Sequence, residues 1–245
     1  MDCLEGMKYI EDKSIDMILC DLPYGTTKCK WDSIIDLEEL WKQYNRIIKD
    51  NGAIVLTSDE PFTTILIHSN LKMFRYKWIW DKVKPNGFLN AKKMPLKRYE
   101  EICVFYKALP TYNPKMEKGK MRNKKAYNKN AGSGEMVYGK FENLDNWSDE
   151  KYPTNIIEIS NASQKDKFHP TQKPVQLFEY LIKTYTNEGD IVLDNCIGSG
   201  TTAIASINTN RKYIGFELEK EYYEASLERI KNHYELLSKK SDLSI

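Results

Sequence analysis

Apolar positions along this chain follow two rhythms. Continuous runs at Ile15–Cys20, Ala53–Thr57, Asp190–Asp194 and Tyr213–Glu217 are bounded by turn residues and predict buried strands. Elsewhere apolar residues return every three or four positions, the period of a helix face. Leu37, Leu40, Trp41, Tyr44, Ile47 and Ile48 predict one helix, closed by Asn51-Gly52. Val175, Leu177, Phe178, Leu181 and Ile182 predict a second, and Tyr222, Ala225, Leu227, Ile230 and Tyr234 a long third. Pro61 opens a further helix through Ile67. Tyr76–Asp81 and Glu101–Lys107 predict strands at one side of the sheet, with antiparallel pairing open to them. A basic loop from Lys84 through Pro95 links those two strands. Strands alternating with helices predict an α/β fold. Met1–Met7 is short and mixed, and Asp2 has no obvious structural duty.

The rhythm stops between residues 108 and 168, where Lys, Asn, Gly and Tyr accumulate. From Lys115 to Lys129 there are seven Lys or Arg (Lys115, Lys118, Lys120, Arg122, Lys124, Lys125, Lys129) against one acid, Glu117. Such a run reads either as a solvated insertion or as a nucleic-acid footprint, with Tyr112, Tyr127 and Tyr138 available to stack on bases. The net charge of +2 is too small to decide between these readings. The 245 residues suffice for one substantial core plus an insertion. Five scattered cysteines with no Cys-x-x-Cys pair suggest neither a disulfide framework nor a zinc site, and no metal is expected. The start is no signal peptide and no apolar run is long enough to span a membrane, so a reducing cytoplasm is expected.

Chemistry concentrates at two strand ends. Asp21-Leu22-Pro23-Tyr24-Gly25 follows the first apolar run, at the carboxyl edge where open α/β sheets bind ligands. It offers a carboxylate, the Leu22 carbonyl beside a residue lacking N–H, and an aromatic ring, a set suited to a flat, amine-bearing group. An ordinary Asp-x-Pro turn is the alternative. Asp194 likewise ends a strand, and Asn195-Cys196-Ile197-Gly198-Ser199-Gly200 leads into a helix starting at Thr201-Thr202. Glu217 lies 23 positions beyond Asp194, where a carboxylate can accept both ribose hydroxyls. The glycines do not complete the dinucleotide pattern, and no Lys follows Gly200 as a P-loop requires. An acid just before the loop favours a cationic or neutral ligand over a pyrophosphate, and S-adenosylmethionine satisfies these demands.

Taken together, these stretches resemble the β group of DNA amino-methyltransferases, which modify adenine N6 or cytosine N4. That family's catalytic Asp/Ser/Asn-Pro-Pro-Tyr motif is matched by Asp21-Leu22-Pro23-Tyr24, with Leu22 in place of the first Pro. Its cofactor loop is matched by Asp194 through Gly200, and its His-Pro-Thr-Gln-Lys-Pro signature by His169 to Pro174. The resemblance implies a Rossmann-like S-adenosylmethionine-dependent sheet with helices on both faces and a circularly permuted motif order. It implies a catalytic domain over 1–107 and 169–245, with a target-recognition insertion over 108–168. Asp21, Leu22, Pro23 and Tyr24 would be catalytic. Asp194, Cys196, Gly198, Ser199, Gly200, Thr201, Thr202, Glu217, Lys173 and Pro174 would hold the cofactor, with Asp2 near its adenine. The seven basic residues from Lys115 to Lys129 would meet double-stranded DNA. Asp at position 21 favours adenine over cytosine in that family, whose members often form homodimers. Competing readings are cytosine-N4 transfer, an RNA or protein-amide methyltransferase, a non-catalytic DNA-binding module and an NAD-dependent oxidoreductase.

Overall fold

The computed structural model describes residues 1–26, 29, 32–124, 146–161 and 172–242. It comprises two compact units, one of residues 1–113 with 155–245 and a smaller one of 114–154. The smaller unit is narrower than the 108–168 insertion expected from composition, because a short strand, Ile156–Glu158, pairs with the main sheet.

Among the described residues, the main unit is built on a sheet of seven strands. In chain order they are β1 (Ile15–Asp21), β2 (Ile48–Ser58), β3 (Phe74–Asn86), β4 (Lys97–Phe105), β7 (Ile156–Glu158), β8 (Ile191–Asp194) and β9 (Lys212–Gly215). They lie side by side as β7-β3-β4-β2-β1-β8-β9. β1 runs parallel to β2 and β8, β8 parallel to β9, and β4 antiparallel to both β2 and β3. Within the smaller unit, β5 (Glu117–Lys124) and β6 (Asn146–Lys151) form an antiparallel pair.

β1 reads as an unbroken apolar run because both of its faces are covered. Ile18 and Cys20 face one cluster with Leu40, Tyr44 and Leu66 from helices α2 (Leu37–Ile47) and α3 (Phe62–Ser69). Met17 and Leu19 face the other, against Leu177, Phe178, Leu181 and Ile182 of α4 (Val175–Tyr185). Burying each of those four side chains contributes about 1.5–3 kcal/mol. That sum outweighs the weak helix propensity of the Val, Thr and Tyr residues in α4, so packing holds this helix in place. Two further helices, α5 (Thr201–Asn208) and α6 (Lys220–Asp242), belong to the same unit.

Two local expectations are corrected. Asn51-Gly52 does not close α2, which ends at Ile47 and passes directly into β2. Gly52 instead sits at a register shift where an added Cβ would lie 2.8 Å from the Asp16 carbonyl. Asp2 does have a structural duty. Its carboxylate caps α1 (Cys3–Met7), accepting the Leu4 and Glu5 N–H groups at 2.8 and 3.2 Å. No helix among the described residues is long and apolar enough to cross a membrane.

Candidate active site

Parallel pairing of β1 with β8, through Met17 opposite Val192 and Ile18 opposite Leu193, places two acid-ended strand tips side by side. Both tips open into one cavity of about 550 Å³, within the range of small-molecule sites. Its wall includes Asp2, Asp21, Leu22, Pro23, Tyr24, Lys173, Asp194, Cys196, Gly198, Ser199, Thr201 and Glu217. Of the other residues expected to hold the cofactor, Gly200, Thr202 and Pro174 stand behind the wall. Pro174 caps α4, and Gly200, at φ +76°, turns the chain into α5.

Asp21 is the most heavily engaged group. The ammonium of Lys173 lies 2.7 Å from both of its carboxylate oxygens. Its Oδ1 also accepts the Tyr24 hydroxyl at 2.7 Å and the Thr57 hydroxyl, and Thr57 is its register partner on β2. Burial, with Asp21 and Glu100 adding to it, pushes the Tyr24 phenol well above its ordinary pKa, so it remains a donor. The Tyr24 ring stacks on Phe62 with centroids 5.4 Å apart, and Lys173 Nζ lies 5.5 Å from the ring centroid. Leu22 fills the core with its side chain.

Lys173 belongs to a chain of alternating charges that sequence reading missed. Beyond Asp21 it lies 3.3 Å from Glu100 Oε2, and Glu100 Oε1 accepts from Lys82 at 3.0 Å. Burial opposes the charge on Lys173, yet Asp21 and Glu100 outweigh that and raise its pKa. Burial likewise opposes the Glu100 anion, and Lys173 and Lys82 overcome it and hold the carboxyl below its usual value. Glu100 Oε2 is buried and makes no hydrogen bond of good geometry. A signal for this chain existed in the period of two: Lys82 follows the buried Trp78 and Trp80 on one face of β3, and Glu100 precedes Ile102 and Val104 on one face of β4. Two charges on apolar faces of neighbouring strands must pair. Asp2 carried a signal too, since Glu5 stands three positions on in the pattern of an N-terminal cap.

The glycine loop is braced from within. Asp194 Oδ1 accepts the Cys196 N–H at 3.0 Å and Oδ2 accepts the Thr202 hydroxyl, so one carboxylate ties both ends of the loop. Burial raises its pKa to about 6, with those hydrogen bonds pulling the other way. Glu217 Oε2 accepts the Gly198 N–H at 2.8 Å. Among the lining residues, seven acids (Asp2, Asp21, Asp32, Asp36, Glu100, Asp194, Glu217) face one lysine. Such a wall fits a ligand that is cationic and carries hydroxyls, and repels a pyrophosphate. The site therefore fits S-adenosylmethionine and does not fit NAD.

In the smaller unit, Lys118 and Lys120 are exposed on β5 and Lys115 is half-buried. The β5 backbone sets Arg122 opposite Ser148 and Lys124 opposite Asn146. Lys125, Lys129 and the stretch His169 to Thr171 lie outside the described residues.

The DNA methylase family model matches residues 15–228. The type II methyltransferase M.BglII of Bacillus subtilis is 32% identical, over 98% of this chain and 68% of its own length. The DNA adenine methyltransferase YhdJ of Escherichia coli is 29% identical, over 95% of this chain and 82% of its own. The structure of the M1.HpyAVI–SAM complex superposes with a TM-score of 0.65 at 26% identity, covering 94% of this chain and 96% of that one. The cytosine-N4-specific PvuII DNA methyltransferase shares the fold, with a TM-score of 0.67 at 18% identity over 96% and 89% of the two chains. With an acid-tipped strand beside a glycine loop and most of its length matched, the chain belongs to the N6/N4 DNA methylases, which take their methyl group from S-adenosylmethionine.

Proposed function

We propose that this protein methylates the N6 amine of adenine in double-stranded DNA, acting on a base extruded from the helix. One observation carries the reading: Asp21 and the loop residues Gly198 and Ser199 line the same cavity. Adenine is favoured over cytosine by Asp rather than Ser at position 21 and by the adenine activity in the name of one relative.

Gly198, Ser199 and Thr201 of the loop, with Asp194 and Cys196 beside it, would hold the amino-acid end of the cofactor. Glu217 would take its ribose and Asp2 would lie near its adenine. When bound, S-adenosylmethionine supplies an electrophilic methyl group. The chain's own residues prepare the nucleophile. An exocyclic amine is a poor one because its lone pair is delocalised into the ring. Asp21 and the Leu22 carbonyl accept the two amine hydrogens, draw the nitrogen towards tetrahedral geometry and localise that pair. Positive charge developing on nitrogen is stabilised by the Asp21 carboxylate. Tyr24, backed by Phe62, offers its other face to the base. Lys173 Nζ lies 5.5 Å from the ring centroid and 2.7 Å from both carboxylate oxygens, so the target amine would compete with it for Asp21. Glu100 Oε2 is the acceptor within reach of the displaced ammonium. Alignment matters throughout, since a misplacement of about 1 Å costs on the order of a hundredfold in rate.

Asp21→Ala should abolish methyl transfer to DNA while calorimetry finds S-adenosylmethionine binding nearly unchanged. Methylation retained in that variant would overturn the assignment. Digesting the product DNA to nucleosides separates N6-methyladenine from N4-methylcytosine.

A further inference from the structure

The β3–β4 hairpin carries a tip that the chemistry above leaves unused. Between Asn86 and Lys97 the two strands part, and Gly87, at φ +84°, starts a single 3-10 turn over Phe88–Asn90. The turn is held by its own backbone. Asn90 N–H donates to Gly87 O at 2.9 Å, Lys93 N–H to Asn90 O at 2.8 Å and Met94 N–H to Asn90 O at 3.0 Å. At its apex Phe88 is 77% exposed and Leu89 83%. Two adjacent large apolar side chains are thus held in water on an ordered turn, a feature that suits an interaction site. Residues 83–99 contain five cations (Lys84, Lys92, Lys93, Lys97, Arg98) and no acid. Lys97 is paired with Asp59 and Arg98 with Asp81, while Lys84, Lys92 and Lys93 have no acidic partner among the described residues. At the root of the hairpin, Val83 holds φ +64°, a conformation β-branched residues avoid. Below it, Trp80, Asn86 and Glu100 form part of the cavity wall. Phe88 follows Asn86 by two residues, so it stands within about 7 Å of the wall along the chain.

We propose that this tip is a wedge for duplex DNA, with Phe88 and Leu89 entering the base stack beside the target and Lys84, Lys92 and Lys93 gripping the flanking phosphates. Apolar side chains inserted at a base step unstack it, and adjacent cations hold the backbone while it opens. A second copy of this chain is the poorer occupant, because two acid-free basic tips repel each other. The inference rests on the reading that the protein methylates an extruded base, and adds how the base is forced out.

The test uses the full chain and a synthetic duplex bearing the methylation site, mapped by sequencing DNA from cells that express the protein. The target base is either paired or set opposite an abasic site, which removes its pairing partner and lowers the cost of extruding it. Phe88→Ala/Leu89→Ala should lower kcat/KM on the paired duplex by about tenfold or more, and by less than about twofold on the abasic duplex. Replacing Lys84, Lys92 and Lys93 by Ala should weaken both duplexes alike and flatten the salt dependence of binding. If the wild-type protein methylates no DNA, the functional reading fails and takes the wedge with it. If it methylates and the Phe88/Leu89 variant is unimpaired, or impaired equally on both duplexes, the wedge is refuted. Loss of a dimer in that variant on gel filtration, with equal impairment on both duplexes, would assign the tip to a contact between copies and also refute it.

Discussion

Replacing Lys173 by Met removes one link of the Lys82–Glu100–Lys173–Asp21 chain and leaves two carboxylates sharing one cation. At an effective dielectric of about 20, unit charges separated by the observed 2.7 Å attract by roughly 6 kcal/mol. Lost hydration opposes this, because the Lys173 side chain is only 7% exposed and that of Asp21 23%. Removing one partner of a buried pair costs about 3–5 kcal/mol, and the partial exposure of Asp21 puts Lys173→Met near 3 kcal/mol. Asp21→Asn alone should cost about 2 kcal/mol. The double variant should cost about 3 kcal/mol rather than 5, because Lys82 and Glu100 remain as a neutral pair. Urea unfolding of the four proteins without cofactor measures this cycle. Additivity within about 0.5 kcal/mol would refute the claim that the pair is coupled. The pH dependence offers a second check. Glu100 is held below its usual value, so its contribution is present above about pH 4.5 and is lost as pH falls through its lowered folded-state pKa. Without Lys173 that acid-side loss should shrink.

Asp194 works in the opposite sense. Its pKa rises on folding from 3.8 to about 6, so the folded state keeps a proton that the unfolded chain releases. Stability should therefore fall by roughly 3 kcal/mol between about pH 4 and pH 6, and Asp194→Asn should flatten that slope in thermal melts. Gly200→Ala meets no atom closer than 3.4 Å, so its cost is the backbone at φ +76°, about 1–2 kcal/mol. It should lower the melting temperature and weaken S-adenosylmethionine binding in calorimetry. Lys118→Ala with Lys120→Ala should reduce the slope of log affinity for DNA against log salt by up to about 2, and an unchanged slope would remove β5 from the DNA interface.

The parallel strands and the helices covering them were legible because their rhythms differ and because burial on both faces gives β1 a continuous apolar run. The turns at Asp21 and Gly198 were legible because Pro and Gly punctuate them. Lys173 was marked only through resemblance, as a cofactor residue. Its pairing with Asp21 joins positions 152 apart and depends on how α4 approaches β1. Thr57 ends a run that reads as ordinary core, and Glu100 stands one residue before the Glu101–Lys107 run, so neither stands out. The boundary of the smaller unit was hidden for a related reason. Three residues, Ile156–Glu158, are too few to show a period, and pairing with β3 decides where they belong.

The crowd of carboxyls around the cavity acts as a sieve by charge. A nucleotide has two unlike halves, an anionic phosphodiester and an uncharged heterocycle. On the proposed function, seven acids against one lysine would turn the first away while admitting the second. The strand's backbone would thereby be stopped at the rim, leaving the heterocycle to enter alone.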